Sequence, residues 1–211
     1  MWVGRLAAGI EEFLQQQQIV AILDASHPYA VEISQSAIAS ALKQQIPYLR
    51  YERPVVEKQL NAPSAIALFN FDALLAGDYL QGQRVLLTVG YKSLQLFQPW
   101  HQKATLFARI LPSATALAAA ANAGFTPDRL ICLRPPISAD LERALWRQWI
   151  ISLVVTKASG TAGGEDIKRT IAAESGIPLI VINRPVVEYP QQTSDLSVAL
   201  EFCRQHCDQK A

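Results

Sequence analysis

Ile151-Ser152-Leu153-Val154-Val155-Thr156-Lys157-Ala158-Ser159-Gly160-Thr161-Ala162-Gly163-Gly164-Glu165-Asp166-Ile167-Lys168 sets an apolar, β-branched run directly before a glycine-rich loop and the opening of a helical pattern. That order reads as strand, turn and helix, the repeating unit of a parallel sheet covered by helices. Working outward, the same alternation recurs along the chain, with strands predicted over residues 19–24, 48–51, 84–88, 105–110, 130–133, 151–156 and 179–182. Residues 28–45 show the helical half of the unit. Ile33, Ala37 and Ala41 recur every four residues beside Ile38 and Leu42, giving a stripe to lay on a sheet, and Pro28 suits the helix's first turn. A further helix is expected over residues 4–17.

Pro54 and Pro63 interrupt the pattern, and residues 77–82 form a second polar break before a new strand, so a domain boundary is expected there. Residues 82–211 then hold five strands and a terminal helix, whereas residues 1–77 hold two. A mononucleotide-binding half normally needs a full βαβαβ set. The expectation is an α/β protein with two Rossmann-like, doubly wound parallel-sheet domains, the first incomplete.

Composition narrows the function classes. A chain of 211 residues, 50% hydrophobic and 18% charged, can bury a full core, and a net charge of +1 offers no broad field for nucleic acid. Small-molecule ligands are expected, held by local Lys and Arg clusters. Cys132, Cys203 and Cys207 suggest neither a disulfide framework nor a redox pair. Cys203, His206 and Cys207 could share a helical face, but no fourth ligand has a plausible spacing, so no metal is expected. No apolar run approaches the roughly 20 residues that span a bilayer and the amino terminus lacks a signal's apolar core, so a soluble, cytoplasmic protein without a membrane partner is expected.

In parallel sheets ligands bind beyond the carboxyl ends of strands, where loop amides and helix dipoles favour anions. Four such loops stand out. Residues 24–30, Asp-Ala-Ser-His-Pro-Tyr-Ala, put Asp24 at a strand end with Ser26 and His27 at a helix start; Ser26 could equally be a helix cap. Residues 88–93 carry Thr88, Gly90 and Lys92, where a glycine admits a ligand to the backbone and a cation opposes the dipole of the helix it opens. In residues 109–113, Pro112 and Ser113 end a strand and cap a helix, leaving Arg109 as the functional candidate. Residues 156–168 bring Lys157, Ser159, Gly160, Gly163 and Gly164 to one helix amino terminus and read as an anion cradle, although they match neither G-x-G-x-x-G nor G-x-x-x-x-G-K-[ST].

Taken in order, these segments resemble the precorrin-6A reductase family of cobalamin biosynthesis, including its cobalt-precorrin-6A branch. Residues 24–30 are similar to that family's Asp-Ala-Thr-His-Pro-Phe-Ala, and residues 47–54, Pro-Tyr-Leu-Arg-Tyr-Glu-Arg-Pro, to its Pro-Tyr-Leu-Arg-x-Glu-Arg-Pro. Residues 87–92, 108–112 and 156–160 resemble further family segments, as do Gly176-Ile177-Pro178 and Arg184-Pro185. Ala158 stands where the family commonly has a polar residue. The family opens with a strand and a Gly-Gly-Thr turn that cradles the dinucleotide. The resemblance therefore implies that about one βαβ unit, roughly 30 residues, would precede this chain, which by itself would bind NADPH poorly.

The resemblance implies reduction of one carbon–carbon double bond in an oxidised tetrapyrrole by hydride from NADPH, in a monomer or homodimer. Lys92, Arg109, Lys157 and the amides of the 160–164 loop would meet anionic groups. Arg50 and Arg53 would meet substrate carboxylates, unless they are instead paired with Glu52 or another acid. Asp24 or His27 would supply the proton that follows the hydride. A tetrapyrrole- or nucleotide-binding module without turnover is the alternative.

Overall fold

The computed structural model describes residues 9–56 and 65–207. The expected helix residues 4–8 and Pro63 lie outside them. The first half runs α1 (Ile10–Gln16), β1 (Ile22–Asp24), α2 (Val31–Gln44), β2 (Tyr48–Tyr51), β3 (Ala65–Leu68), α3 (Phe71–Ala76), β4 (Arg84–Thr88) and a 3-10 segment over Tyr91–Trp100. It continues with β5 (Thr105–Ile110), α4 (Ala114–Asn122), β6 (Leu130–Cys132), α5 (Ala139–Gln148) and β7 (Leu153–Lys157). A 3-10 turn over Thr161–Gly163, α6 (Glu165–Ser175), β8 (Leu179–Ile182), β9 (Gln192–Thr193) and α7 (Leu196–Cys207) close the order.

Two compact units divide these elements, one reaching Pro54 and resuming at Pro185, the other spanning Val55–Arg184. The larger unit holds a six-stranded sheet in the order β3-β8-β7-β4-β5-β6, with every pairing parallel. Its central strands read as continuous apolar runs because both faces are covered. Val85, Leu86, Leu87, Val154, Val155, Leu179 and Ile180 are all fully buried. Burying each such side chain contributes about 1.5–3 kcal/mol. Trp146 of α5 and Ile171 and Ala172 of α6 pack against one face. Ser113 caps α4 and Ser138 caps α5, each accepting from the amide three residues on.

The smaller unit holds a three-stranded parallel sheet, β1-β2-β9. Ala37 and Ala41 of α2 pack on Tyr48. The helix does not present its predicted stripe. Ile33 and Leu42 are 45% and 80% exposed, while Ser34 and Ser40 are buried with the alanines. Pro28 lies ahead of the helix, whose N-cap is Ala30.

The units also differ from the expected boundary at residues 77–82. The chain passes through α3 and that turn into β4 of the same sheet, because β3 pairs with β8 from Ala65↔Leu179 to Leu68↔Ile182. The return after Arg184 brings β9 beside β2, with Arg50↔Gln192 and Tyr51↔Thr193 in register. Strand pairing over more than a hundred residues leaves no trace in local composition. Among the described residues, no helix is long and apolar enough to cross a membrane.

Candidate functional site

The six-stranded order fixes where a ligand crevice can form. From β4 the chain moves outward to β5 and β6, then returns to the other side of β4 with β7 and β8, so the winding reverses between β4 and β7. Loops diverge at such a switch and leave a crevice at the strands' carboxyl ends. Thr88, Gly90, Lys92 and Lys157 lie at or just beyond these carboxyl ends. Thr88 ends β4 opposite Thr156, and its hydroxyl donates to Val155 O at 3.2 Å. Gly90 has a φ of 79° and open space where a Cβ would stand, so the turn is exposed and its conformation favours glycine. Lys92 is exposed in the first turn of the 3-10 segment, and Ser93 beside it is buried.

Lys157, the last residue of β7, reaches across this crevice. Its ammonium donates to Ser93 Oγ at 3.0 Å and lies 5.5 Å from the centre of the Phe71 ring. Burial, and then the nearby charge of Lys92, depress Lys157 to a pKa of about 8. Two cations drawn together at a strand switch are an electrostatic cost that a bound anion would relieve.

The glycine-rich loop after β7 is organised differently from the expected cradle. The Gly160 amide already donates to Glu165 Oε2 at 3.0 Å, Gly163 N to Gly160 O, and Gly164 N to Thr161 O. Glu165 is 1% exposed and is itself paired with Arg169 at 2.8 Å. The chain's own carboxylate therefore fills the place read as an anion cradle. Ser159 is buried, and a Cβ at Gly163 would overlap its side chain, so Gly163 is required by packing. Ala158 packs in the core beside Ile171.

Arg109, at the end of β5, forms an ion pair with Glu142 of α5, whose other oxygen accepts from Trp146 Nε1 at 2.9 Å. Lys168 of α6 is 2% exposed, and its ammonium donates to the carbonyls of Gly163 and Gly164, each at 2.9 Å. Neither Glu142 nor Lys168 stands out in the sequence, where both look like ordinary helix charges. What marks them is burial, which spacing does not reveal.

In the smaller unit the candidates form a buried polar network. Asp24 accepts from Ser34 Oγ at 2.6 Å, Tyr48 Oη at 2.7 Å, Arg50 Nη1 at 3.0 Å and the Ser26 amide at 2.9 Å. Burial pushes its pKa up, but the hydrogen bonds from Ser34, Ser26 and Tyr48 outweigh it and hold the carboxyl below its ordinary value of 3.8. Burial and then the Asp24 carboxylate raise the Tyr48 phenol. Arg50 is fully buried, donates to Ser26 Oγ and to Glu52 at 2.9 Å, and stacks 5.3 Å from the Tyr189 ring. Although burial opposes its charge, Glu52 and Asp24 raise its pKa.

Two expectations change accordingly. Arg50 takes the acid-paired alternative rather than facing a substrate carboxylate. Asp24 is an ionised acceptor with both oxygens engaged, which is the wrong state for donating a proton. Ser26 caps no helix, serving Arg50 and Ser34 instead. His27 is exposed, and its Nδ1 accepts from the Tyr29 amide at 3.2 Å, so the neutral ring carries its proton on Nε2. Arg53 is half-buried.

Residues 1–204 match the family model described as "Precorrin-6x reductase CbiJ/CobK". The chain belongs to the precorrin-6x reductase family. It is 48% identical over 200 residues to a cobalt-precorrin-6A reductase of Synechocystis sp., covering 93% of this chain and 76% of that one. A cobalt-precorrin-6A reductase of Priestia megaterium is 32% identical over 89% of this chain and 74% of its own. A solved structure described as CobK precorrin-6A reductase superposes with a TM-score of 0.79 over 93% of this chain and 77% of that one. Its 23% identity bears on the fold alone, which is Rossmann-like α/β. As a member of this reductase family the protein is an oxidoreductase.

Proposed function

We propose that this family member reduces one carbon–carbon double bond of the cobalt-bearing form of precorrin-6A, with NADPH as reductant, during assembly of the corrin ring of cobalamin. The observation that carries the reading is the family match over residues 1–204, together with 48% identity to a relative named for that reaction. The cobalt-bearing substrate is favoured because the relatives at 48%, 33% and 32% identity are all named for it, whereas those at 27–29% include both kinds.

When bound, NADPH supplies the hydride. The protein's share is to bind and orient two anionic ligands, and the strand switch fits that task. Lys157 and Lys92 would hold one phosphate or carboxylate group, and the bare backbone at Gly90 leaves it room. Once such an anion is present, its attraction opposes the burial and the Lys92 repulsion that depress Lys157, so the ammonium is charged in the complex. The buried Asp24–Arg50 network holds the 24–30 loop in place, and His27, which carries a proton on Nε2, is the candidate for delivering the proton that follows the hydride.

Anaerobic mixing with NADPH and each tetrapyrrole, followed through loss of nicotinamide absorbance, tests the reading. Oxidation of one NADPH per tetrapyrrole, faster with the cobalt form, is expected. Tetrapyrrole binding without NADPH oxidation would contradict it.

A further inference from the structure

Beside β5 and α6, a cavity of about 70 Å³ is lined by Arg109, Pro136, Glu142, Thr161, Ala162 and Lys168 among others, with neither Lys92 nor Lys157 in its wall. One water needs roughly 10–15 Å³ of such volume, so the space admits a group of several heavy atoms. The charged groups of its lining have donors to spare. Lys168 carries three ammonium hydrogens and gives two of them to the Gly163 and Gly164 carbonyls, leaving a third for a side chain that is 2% exposed. Arg109 uses Nη1 on Glu142, and its remaining guanidinium donors have no side-chain or backbone acceptor among the described residues. Both oxygens of Glu142 are engaged, one by Arg109 and one by Trp146.

The charge balance of the lining points the same way. Arg109 and Lys168 contribute two positive charges against one from Glu142. Nearby Glu165 is neutralised by Arg169, and Asp166, which also acts on Lys168, does not line the cavity. The amino terminus of α6 adds its partial positive charge. Burial, and then Arg109, depress Lys168 to about 8, the state expected of a cation waiting for a counter-charge.

We propose that this cavity is a second anion subsite, taking a single oxyanion group of phosphate or carboxylate type between Arg109 and Lys168. The proposal stands apart from the reductase assignment, because a simple inorganic probe can test it. It names Lys168 and Ala162 as site residues, and it gives Arg109 a ligand role in addition to its ion pair.

Trp146 supplies the readout, since its indole N–H donates to Glu142 at the cavity wall. Inorganic phosphate should be titrated while the Trp146 indole resonance is followed, with Trp146→Phe fixing the assignment. A saturable shift is expected, weakened about tenfold to a hundredfold by Lys168→Met, as for loss of a hydrogen bond to a charged group. Lys168 also holds two carbonyls, so Ala162→Leu provides a second variant: Ala162 is exposed, and the larger side chain fills the cavity while both cations remain. The shift should vanish in Ala162→Leu and persist in Lys157→Ala.

Competition then separates the two sources. Displacement of phosphate by NADPH assigns the subsite to the dinucleotide, and displacement by a polycarboxylated porphyrin alone assigns it to the substrate. Absence of a saturable shift, or equal shifts in Ala162→Leu and the parent, would overturn the proposal.

Discussion

Lys157 shows how a single residue can couple the site to pH. Its pKa of about 8 in the unliganded fold means that it is charged below that value and neutral above it. An anion binds the charged form, so raising the pH through 8 must weaken anionic ligand binding, by up to tenfold per unit until the pKa of the complex is reached. Titrations of NADPH and tetrapyrrole at pH 7, 8 and 9 should show this slope for one of them, and Lys157→Ala should flatten it while lowering affinity at pH 7 by about tenfold to a hundredfold. Asp24 works in the opposite sense. Its folded pKa lies below 3.8, so the stability it contributes is present above about pH 4 and is lost as the pH falls through the folded value. Asp24→Asn leaves the buried Arg50 short of a counter-charge and should cost about 3–5 kcal/mol at neutral pH. Urea unfolding across pH 3–7 measures both effects, and the mutant should lack this group's share of the acid loss.

At the scale of elements, the loop after β7 is set by Glu165 and Ser159 rather than by a ligand. Gly163→Ala pushes a methyl into the Ser159 side chain, an overpacking expected to cost about 1–3 kcal/mol. Ser159→Gly should recover part of that loss in a double-mutant cycle; strict additivity would remove the contact from the account. The elements themselves were legible to different degrees. Strands β2, β4, β5 and β8 match the residues predicted because each is a run of large or β-branched side chains between breaks. Strand β3, Ala65-Ile66-Ala67-Leu68, was missed because alanines after a proline-bearing stretch carry little strand signal, and β9 because two polar residues carry none. On α2 the apolar stripe was misplaced: Ser34 turns inward to bond Asp24, and Ile33 is left 45% exposed. Lys92 and Lys157 could be singled out because a cation sits awkwardly near a helix amino terminus, where the dipole opposes it. Lys168 and Glu142 could not, since only burial sets them apart from ordinary helix charges.

Over the whole molecule, strand pairing decides the division into units. Because β3 is the edge partner of β8, a fragment of residues 55–184 keeps the six-stranded sheet, whereas residues 82–211 lack β3 and leave β8 unpaired along one side. The first fragment should melt cooperatively by circular dichroism and the second at lower temperature or without a cooperative transition; the reverse order would favour a boundary near residues 77–82. The central claim is that this reductase family member transfers hydride to a corrin precursor with the β4/β7 switch holding an anionic group of one ligand. The measurement that bears on it most directly is steady-state NADPH oxidation with cobalt-precorrin-6A, on protein purified from its own host and on Lys157→Ala, varying each ligand in turn. The account predicts turnover in the parent and, in Lys157→Ala, a KM raised about tenfold to a hundredfold for one ligand; no NADPH oxidation by the parent, or unchanged KM values in the mutant, would contradict it.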